Sequence, residues 1–158
     1  MRGVDFDELA FFQAIHESGT RALLIGRRAL VLLGLPVLTA DYDFWIAIDQ
    51  IAVFNAAVAR CDLQPTVDPE EARERGRYVV ENDEHVDVLV ARSLTTVDGV
   101  QVAFEDVWAR RQAVTLAPGV DVQLPLIDDL ILTKRFAARP KDLEDIRLLR
   151  MLRSEGKP

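Results

Sequence analysis

The 158-residue sequence predicts an α+β fold in which helices flank a small mixed β-sheet and two C-terminal helices close the structure. Three patterns support this prediction. Helical segments and short strands follow one another irregularly, so the regular β-α-β repeat of a doubly wound sheet is missing. Two pairs of strands are separated only by short turns, and two adjacent helical segments end the sequence. The length suits a single domain over residues 1–158.

The first part of the sequence predicts three helices and two strands. Leu9, Phe12 and Ile15 recur at helical spacing, and Gly19 follows where glycine commonly ends a helix. Gly34 and Pro36 end the second helix. The expected elements are helix 5–18, strand 21–26, helix 27–35, strand 41–48 and helix 50–61.

The second part of the sequence predicts two hairpins and the closing helices. Strands at 77–82 and 85–91 are joined by two residues, which is short enough for a hairpin. A further strand pair is expected within 113–124, around Pro118-Gly119. The expected helical segments are a short surface helix or turn at 69–77 and helices at 104–112, 125–138 and 140–154, the last begun by Pro140.

Composition excludes several classes of protein. The hydrophobic and charged fractions of 49% and 28% are typical of a soluble globular protein, and the apolar runs are too short and interrupted for a membrane span. Residues 1–12 are acidic where an export signal would be basic, and the lone Cys61 excludes a disulfide framework. A cytoplasmic location is therefore expected. His16 and His85 have no cysteines at metal-ligand spacing, so no zinc site is expected.

The charge is unevenly distributed. From Lys134 to the end the sequence has eight Lys/Arg and four Asp/Glu, a net charge of +4, which leaves −11 for the rest of a chain whose total is −7. The total argues against a general nucleic-acid coat protein. The basic stretch has two interpretations, a solvated helix surface with ion pairs or a local surface that meets phosphate, and composition favours the first.

Three aspartates on two predicted strands form a candidate metal site. Asp41 and Asp43 are two residues apart, so both lie on the strand face opposite Tyr42, Phe44, Ile46 and Ile48. Asp87 interrupts one face of the apolar strand 85–91, where an unpaired carboxylate is costly. If the strands are neighbours, the three carboxylates converge, and oxygen ligands suit a hard ion such as Mg²⁺.

Each aspartate also has a simpler interpretation. Asp41 could cap a turn after Thr39, and Asp43 could face solvent at a sheet edge. Asp87 could form a salt bridge to a nearby arginine. A calcium loop of the EF-hand type is excluded, because Trp45 and Ile46 stand where that loop needs polar and glycine residues.

Gly26 lies between a predicted strand and a predicted helix. Such a turn exposes backbone N–H groups at the start of a helix, which suits an anionic phosphate. A phosphate-binding turn followed by a carboxylate-bearing strand is the arrangement that nucleotide chemistry needs, since the carboxylates can hold Mg²⁺ against the α-phosphate.

The segment "LLIGRRALVLLGLPVLTADYDFWI" resembles the N-terminal motif of the nucleotidyltransferase superfamily, most closely its minimal and AbiEii-type toxin branches. Their pattern is a strand, Gly-Gly or Gly-Ser, a short helix, Asp-x-Asp on the next strand and a third aspartate on a later strand. Asp87 in "HVDVLVA" matches the third aspartate. The ending "LPLIDDLILTKRFAARPKDLEDIRLL" also resembles those toxins, and the resemblance covers roughly residues 20–150.

The resemblance implies a nucleotidyltransferase-like fold and a role for each matching residue. Asp41, Asp43 and Asp87 would bind Mg²⁺ (or Mn²⁺), and Asp87 could also act as general base. The remaining implied residues are the phosphate-binding Gly26 with its neighbour Arg27, the triphosphate-neutralising Lys134, and the secondary Lys141 and Asp142. The simpler interpretations are that Lys134 is a solvated helix lysine, that Asp142 only caps the last helix, and that Asp145 pairs with Lys141 at i,i+4.

The resemblance implies transfer of a nucleoside monophosphate from an NTP to a hydroxyl of RNA, tRNA or protein. It also implies a possible toxin role with an antitoxin partner. Two positions depart from the family pattern: Arg27 replaces the second Gly or Ser, and Val37 stands where the toxins often have arginine. These departures support an alternative, a catalytically degenerate module that binds a nucleotide or a protein partner. Arg27 could either contact the β- and γ-phosphates or pair with Asp41 or Asp43.

Overall fold

The computed structural model describes residues 6–158. Its strands are β1 (Ala22–Ile25), β2 (Tyr42–Ile46), β3 (Gln64–Pro65), β4 (Arg77–Glu81), β5 (His85–Leu89), β6 (Ser93–Thr95), β7 (Gln101–Ala103), β8 (Gln112–Ala117) and β9 (Val120–Leu124). Its helices are α1 (Glu8–Ser18), α2 (Gly26–Leu32), α3 (Ile51–Ala59), α4 (Pro69–Arg75), α5 (Phe104–Arg110), α6 (Ile127–Lys134) and α7 (Pro140–Ser154). A single 3₁₀ turn, Ile48–Gln50, precedes α3.

A mixed sheet of five strands carries the fold, in the spatial order β1-β2-β5-β4-β3. Strands β2 and β5 are parallel, and the other neighbouring strands are antiparallel. β2 is therefore an internal strand, flanked by β1 and β5. The β6–β7 and β8–β9 pairs form two separate antiparallel hairpins.

The larger apolar core covers one face of this sheet. Alternate β2 residues, Tyr42, Phe44 and Ile46, point into it together with Val86 and Val88 of β5. Buried residues of α1, α3, α6, α7 and β9 complete this core. Alternation along the strands explains the arrangement, since residues two apart lie on one face.

A smaller core covers the opposite face. Its centre is Trp45, which is fully buried and donates a hydrogen bond from Nε1 to the carbonyl of Ala91 at 2.8 Å. Phe104 and Phe136 pack edge-on against the Trp45 ring. Asp43 is two residues before Trp45, so this second face also carries the carboxylates.

Local signals fix the ends of several helices. Asp7 accepts the Ala10 N–H before α1, and Gly19 ends that helix in a left-handed conformation with φ of 70°. Pro140 occupies the first turn of α7. The predicted start of the first helix at Asp5, and part of the segment used to judge an export signal, lie outside the described residues.

The expected α+β class is confirmed, as are the alternating faces of β2 and the β4–β5 hairpin. The sequence patterns missed β3 and the β6–β7 hairpin, which contain two or three residues per strand and show no usable periodicity. No helix within residues 6–158 has the length and hydrophobicity required to cross a bilayer.

Candidate active site

Asp43 and Asp87 face each other across two neighbouring strands. They are register partners in the parallel β2–β5 pair, and both are half-buried on the Trp45 face of the sheet. The expectation that their strands are neighbours is therefore confirmed. The sheet-edge interpretation of Asp43 is wrong, because β2 has a strand on either side.

Gly26 contacts Asp43 where β1 turns into α2. Gly26 has φ of 70°, and a Cβ at this position would lie 2.9 Å from both Cβ and Cγ of Asp43 and closer still to Oδ2. Only glycine fits, because a side chain would meet both backbone strain and a collision. The start of α2 and the Asp43 carboxylate are thereby held in direct contact.

Burial raises the pKa of Asp43 to about 6, and the negative charge of Asp87 and, more weakly, that of Asp41 act in the same direction. The positive charges of Lys134 and Lys141 oppose the shift without cancelling it. Within residues 6–158 the Asp43 carboxylate has no hydrogen bond or ion pair of its own. The ionised Asp43 carboxylate is therefore destabilised in this environment, which favours a cation beside it at neutral pH.

The Asp87 carboxylate lies near a histidine and an arginine. Its carboxylate lies 3.2 Å from Nε2 of His85 and 3.7 Å from a guanidinium nitrogen of Arg77. The predicted salt bridge to an arginine is therefore present. His85 precedes Asp87 by two residues on the same strand face, and this spacing is the signal in the sequence that indicates the contact.

The three carboxylates do not form a closed cluster. Asp41 is exposed just before β2, and its N–H donates to Oγ1 of Thr39, so the turn is closed by the threonine and not by Asp41. No group of three His, Cys, Asp or Glu side chains in the described part of the chain is arranged to hold a metal ion. The carboxylate oxygens of Asp43 and Asp87 nonetheless suit a hard cation, because the two residues lie opposite each other on neighbouring strands. Metal binding by the three aspartates stays a prediction.

Lys134 is buried rather than solvated. It ends α6 with a side chain only 7% exposed, and its Nζ donates to Oδ2 of Asp145 at 2.8 Å. A second carboxylate, that of Asp142, lies 4.0 Å from the same Nζ. The simpler interpretation of Lys134 is therefore wrong, because α7 packs over the end of α6 and brings these carboxylates to it.

Asp145 is the residue whose observed contacts differ most from those predicted from the sequence. It is fully buried on α7, where it accepts hydrogen bonds from Lys134 and from Nε of Arg27, the latter at 3.2 Å to each oxygen. The expected i,i+4 pairing with Lys141 is wrong, since Asp145 faces the protein interior whereas Lys141 is exposed.

Arg27 is held away from the Asp43–Asp87 pair. Besides Asp145, it contacts the carbonyl of Leu38 through Nη1 at 3.2 Å. The structure thus shows no pairing of Arg27 with Asp41 or Asp43, one of the two arrangements that the sequence left open. Contact of Arg27 with phosphate stays a prediction.

Asp142 caps α7 and also belongs to the same charged cluster. Its carboxylate accepts the backbone N–H of Arg139 at 3.0 Å and Nε of Arg139 at 2.9 Å. Burial alone would raise the pKa of Asp142, but the hydrogen bonds from Arg139 and the charges of Arg139 and Lys134 outweigh it and lower the pKa. Asp142 is therefore ionised at neutral pH.

Two surface depressions lie near opposite ends of the central strands. One, of about 490 Å³, adjoins Asp41 and His85. A larger one, of about 590 Å³ and lined by Arg21, Arg92 and Phe104, lies where β1 begins, whereas Gly26 and Asp43 lie where β1 ends. Of these two depressions, the smaller one shares Asp41 and His85 with the surroundings of the candidate site, but Asp43 and Asp87 line neither.

Comparison with known proteins shows the fold. No protein-family model and no curated protein sequence matches the chain. The antibiotic-resistance factor ANT(2'')-Ia is similar in structure with a TM-score of 0.62 and 17% identity, over 89% of this chain and 78% of that protein. A Thermotoga maritima protein, provisionally described as a nucleotidyltransferase, has a TM-score of 0.58 and 12% identity over 91% of this chain and 89% of its own.

Proposed function

We propose that the chain is a Mg²⁺-dependent nucleotidyltransferase, which moves a nucleoside monophosphate from an NTP to a hydroxyl group. One observation carries the proposal: Asp43 and Asp87 oppose each other beside the Gly26 turn, and Asp43 has no counter-ion bound directly to it among the described residues. The fold shared with a protein described as a nucleotidyltransferase supports it. Fold alone does not establish activity, whereas the opposed carboxylates beside a glycine turn are a property of this site.

The proposed reaction needs positioning and charge more than covalent chemistry by the protein. The acceptor oxygen attacks the α-phosphorus and the bond from that phosphorus to the bridging oxygen breaks, so that pyrophosphate leaves. Asp87 accepts the proton of the hydroxyl group. Mg²⁺, held by Asp41, Asp43 and Asp87, would neutralise charge on the phosphates.

The remaining residues of the site bind and orient the triphosphate. The N–H groups at the start of α2 would face the triphosphate. The absence of a side chain on Gly26 leaves room for the Asp43 carboxylate against this turn. Lys134 supplies a positive charge within electrostatic range of Asp43. Lys141 is exposed at the start of α7 and adds a more distant positive charge. This division of roles places cations on the side of the leaving group, where negative charge increases during the reaction.

The acceptor is proposed to be RNA, tRNA or a protein hydroxyl, and the system to be a toxin or phage-defence system with an antitoxin protein. The support is the resemblance of the C-terminal segment to AbiEii-type toxins and the net charge of +4 from Lys134 onward. Exposed arginines of α7, such as Arg147 and Arg150, could meet phosphate there.

Incubation with each labelled NTP, Mg²⁺ and either total RNA or cell lysate tests the proposal. We expect label from at least one NTP to enter RNA or protein, and Asp43→Asn to abolish the transfer. EDTA added before the NTP should have the same effect. Absence of both transfer and NTP binding by the parent protein would refute the enzymatic proposal.

The second candidate function is a binding module without catalysis, favoured by Arg27 in place of the family's Gly or Ser. The contacts of Arg27 with Asp145 and Leu38 weaken this candidate, because the guanidinium does not occupy the place between the aspartates. Arg27→Ser separates the two functions. We expect transfer to be unchanged or lower; activity that appears only in the variant would mean that Arg27 blocks the parent site.

A further inference from the structure

We propose that Asp145 is a positioning residue that fixes Arg27 and Lys134 as a pair of phosphate-binding cations. This inference rests on the proposed function, since it concerns how the same site would hold a polyphosphate. It adds a residue that neither the motif nor the spacing of charges identifies.

The burial of Asp145 is the first observation. Its side chain is fully buried, and a carboxylate in that environment is costly unless cations and hydrogen bonds surround it. Asp145 receives both, from Lys134 Nζ at 2.8 Å and Arg27 Nε at 3.2 Å. Three separate elements therefore meet at one carboxylate: the start of α2, the end of α6 and the second turn of α7.

The geometry of Arg27 is the second observation. Nε is held by Asp145, and Nη1 is held by the carbonyl of Leu38 at 3.2 Å. A guanidinium has five N–H donors in a rigid plane, so two fixed points orient the whole group and leave further donors for a ligand. Its side chain remains 26% exposed, which leaves it accessible to a phosphate.

The surroundings of Lys134 are the third observation. Two carboxylates face its ammonium group: Asp145 by direct hydrogen bond at 2.8 Å and Asp142 at 4.0 Å. Asp142 is already bonded to Arg139. Loss of the Asp145 charge would therefore remove the hydrogen bond that holds the Lys134 ammonium group in place.

Binding of inorganic tripolyphosphate with Mg²⁺, measured by titration calorimetry well below the melting temperature, tests the inference without knowledge of the base or the acceptor. We expect Asp145→Asn to weaken binding at least tenfold. Asp129→Asn is a matched control, because Asp129 is also a buried carboxylate and pairs with Arg110 at 2.9 Å through both oxygens. The control should lose stability to a comparable extent but keep its affinity within twofold.

The outcomes separate this inference from the proposed function. If the parent binds neither tripolyphosphate nor any NTP, both proposals fail. If the parent binds and Asp145→Asn binds equally well, only the positioning role fails. Equal loss of affinity in the Asp145 and Asp129 variants would show a general effect of destabilisation and would also overturn the positioning role.

A measurement on the parent protein covers the case in which Asp145→Asn does not fold. The ¹⁵N signals of Arg27, identified by their loss in Arg27→Gln, report its contacts. On addition of tripolyphosphate with Mg²⁺, we expect the Nη signals to shift while the Nε–H stays protected from exchange by Asp145. Loss of that protection would mean that the phosphate displaces Asp145, and an unshifted Arg27 would mean that it takes no part; either result overturns the proposal.

Discussion

Replacement of Asp43 by asparagine is expected to stabilise the metal-free protein at neutral pH. The pKa of Asp43 is about 6 in the folded protein and 3.8 in its ordinary state. Between about pH 4 and about pH 6, the Asp43 carboxyl therefore binds more protons in the folded state than in the unfolded state. The parent loses stability as the pH rises from about 4 to about 6. Asparagine has nearly the same shape but no charge, so the variant avoids this loss.

The size of the effect follows from the two pKa values. A difference of this size corresponds to about 3 kcal/mol at ~1.4 kcal/mol per pKa unit. Asp43 is only half-buried, so this is an upper limit, and a gain of about 1–3 kcal/mol is expected above pH 7. At pH 3.5 and below the parent and the variant should have nearly equal stability, because the carboxyl group is then mostly protonated in both the folded and unfolded parent.

Urea denaturation of both proteins between pH 3.5 and 8, without divalent metal, measures this difference. Asp41→Asn is the control, since it removes a neighbouring charge from an exposed position. Its stability relative to the parent should change much less with pH. If Asp43→Asn is equally or less stable than the parent at pH 7–8, the carboxylate is not destabilised by burial and by Asp87, and the electrostatic argument for a cation there is wrong.

Three further predictions concern the same site. Mg²⁺ with an NTP should raise the melting temperature of the parent but not of Asp43→Asn, because a ligand stabilises the state that binds it. Differential scanning fluorimetry measures both shifts, and equal shifts would contradict Asp43 as a metal ligand. Gly26→Ala should lower the free energy of unfolding by about 2–4 kcal/mol in urea denaturation, since the cost of the left-handed φ and the cost of the collision with Asp43 are added. An unchanged free energy of unfolding would refute the close contact. Lys134→Met should lower the free energy of unfolding by about 3 kcal/mol, because Asp145 keeps only one cationic partner, and Lys134→Arg should lower it less. A loss below ~0.5 kcal/mol for Lys134→Met would contradict the buried ion pair.

Local patterns were sufficient for much of the sheet. The alternation in "DYDFWIAI" correctly assigned Phe44 and Trp45 to opposite faces, because the side-chain period of a strand is two residues whatever its neighbours are. The sequence did not predict that β2 pairs with β5, because parallel neighbours are distant in sequence. It predicted only that the aspartates converge if the two strands are neighbours. The register that places Asp43 opposite Asp87 follows from packing on both faces and has no local signal.

The cluster around Asp145 could not be predicted from the sequence for a related reason. Helical spacing identifies partners three or four residues away, and for Asp145 it pointed to Lys141. The actual partners are 11 and 118 residues away, on α6 and α2. The simpler interpretation of Lys134, a solvated helix lysine, fails for the same reason. A charged residue near a helix end is usually exposed, and only the packing of α7 against α6 buries Lys134.

Arg27 shows how a departure from a motif can be compatible with the chemistry of the motif. The position without a side chain is Gly26, and the space beside it holds the Asp43 carboxylate. The bulk of Arg27 is directed to Asp145 and to the Leu38 carbonyl instead of to the aspartates. A position where the related proteins have a small residue can thus carry a cation without filling the space beside Asp43, provided that a buried carboxylate holds that cation in place. The arginine then argues for a modified phosphate site more than for a lost one.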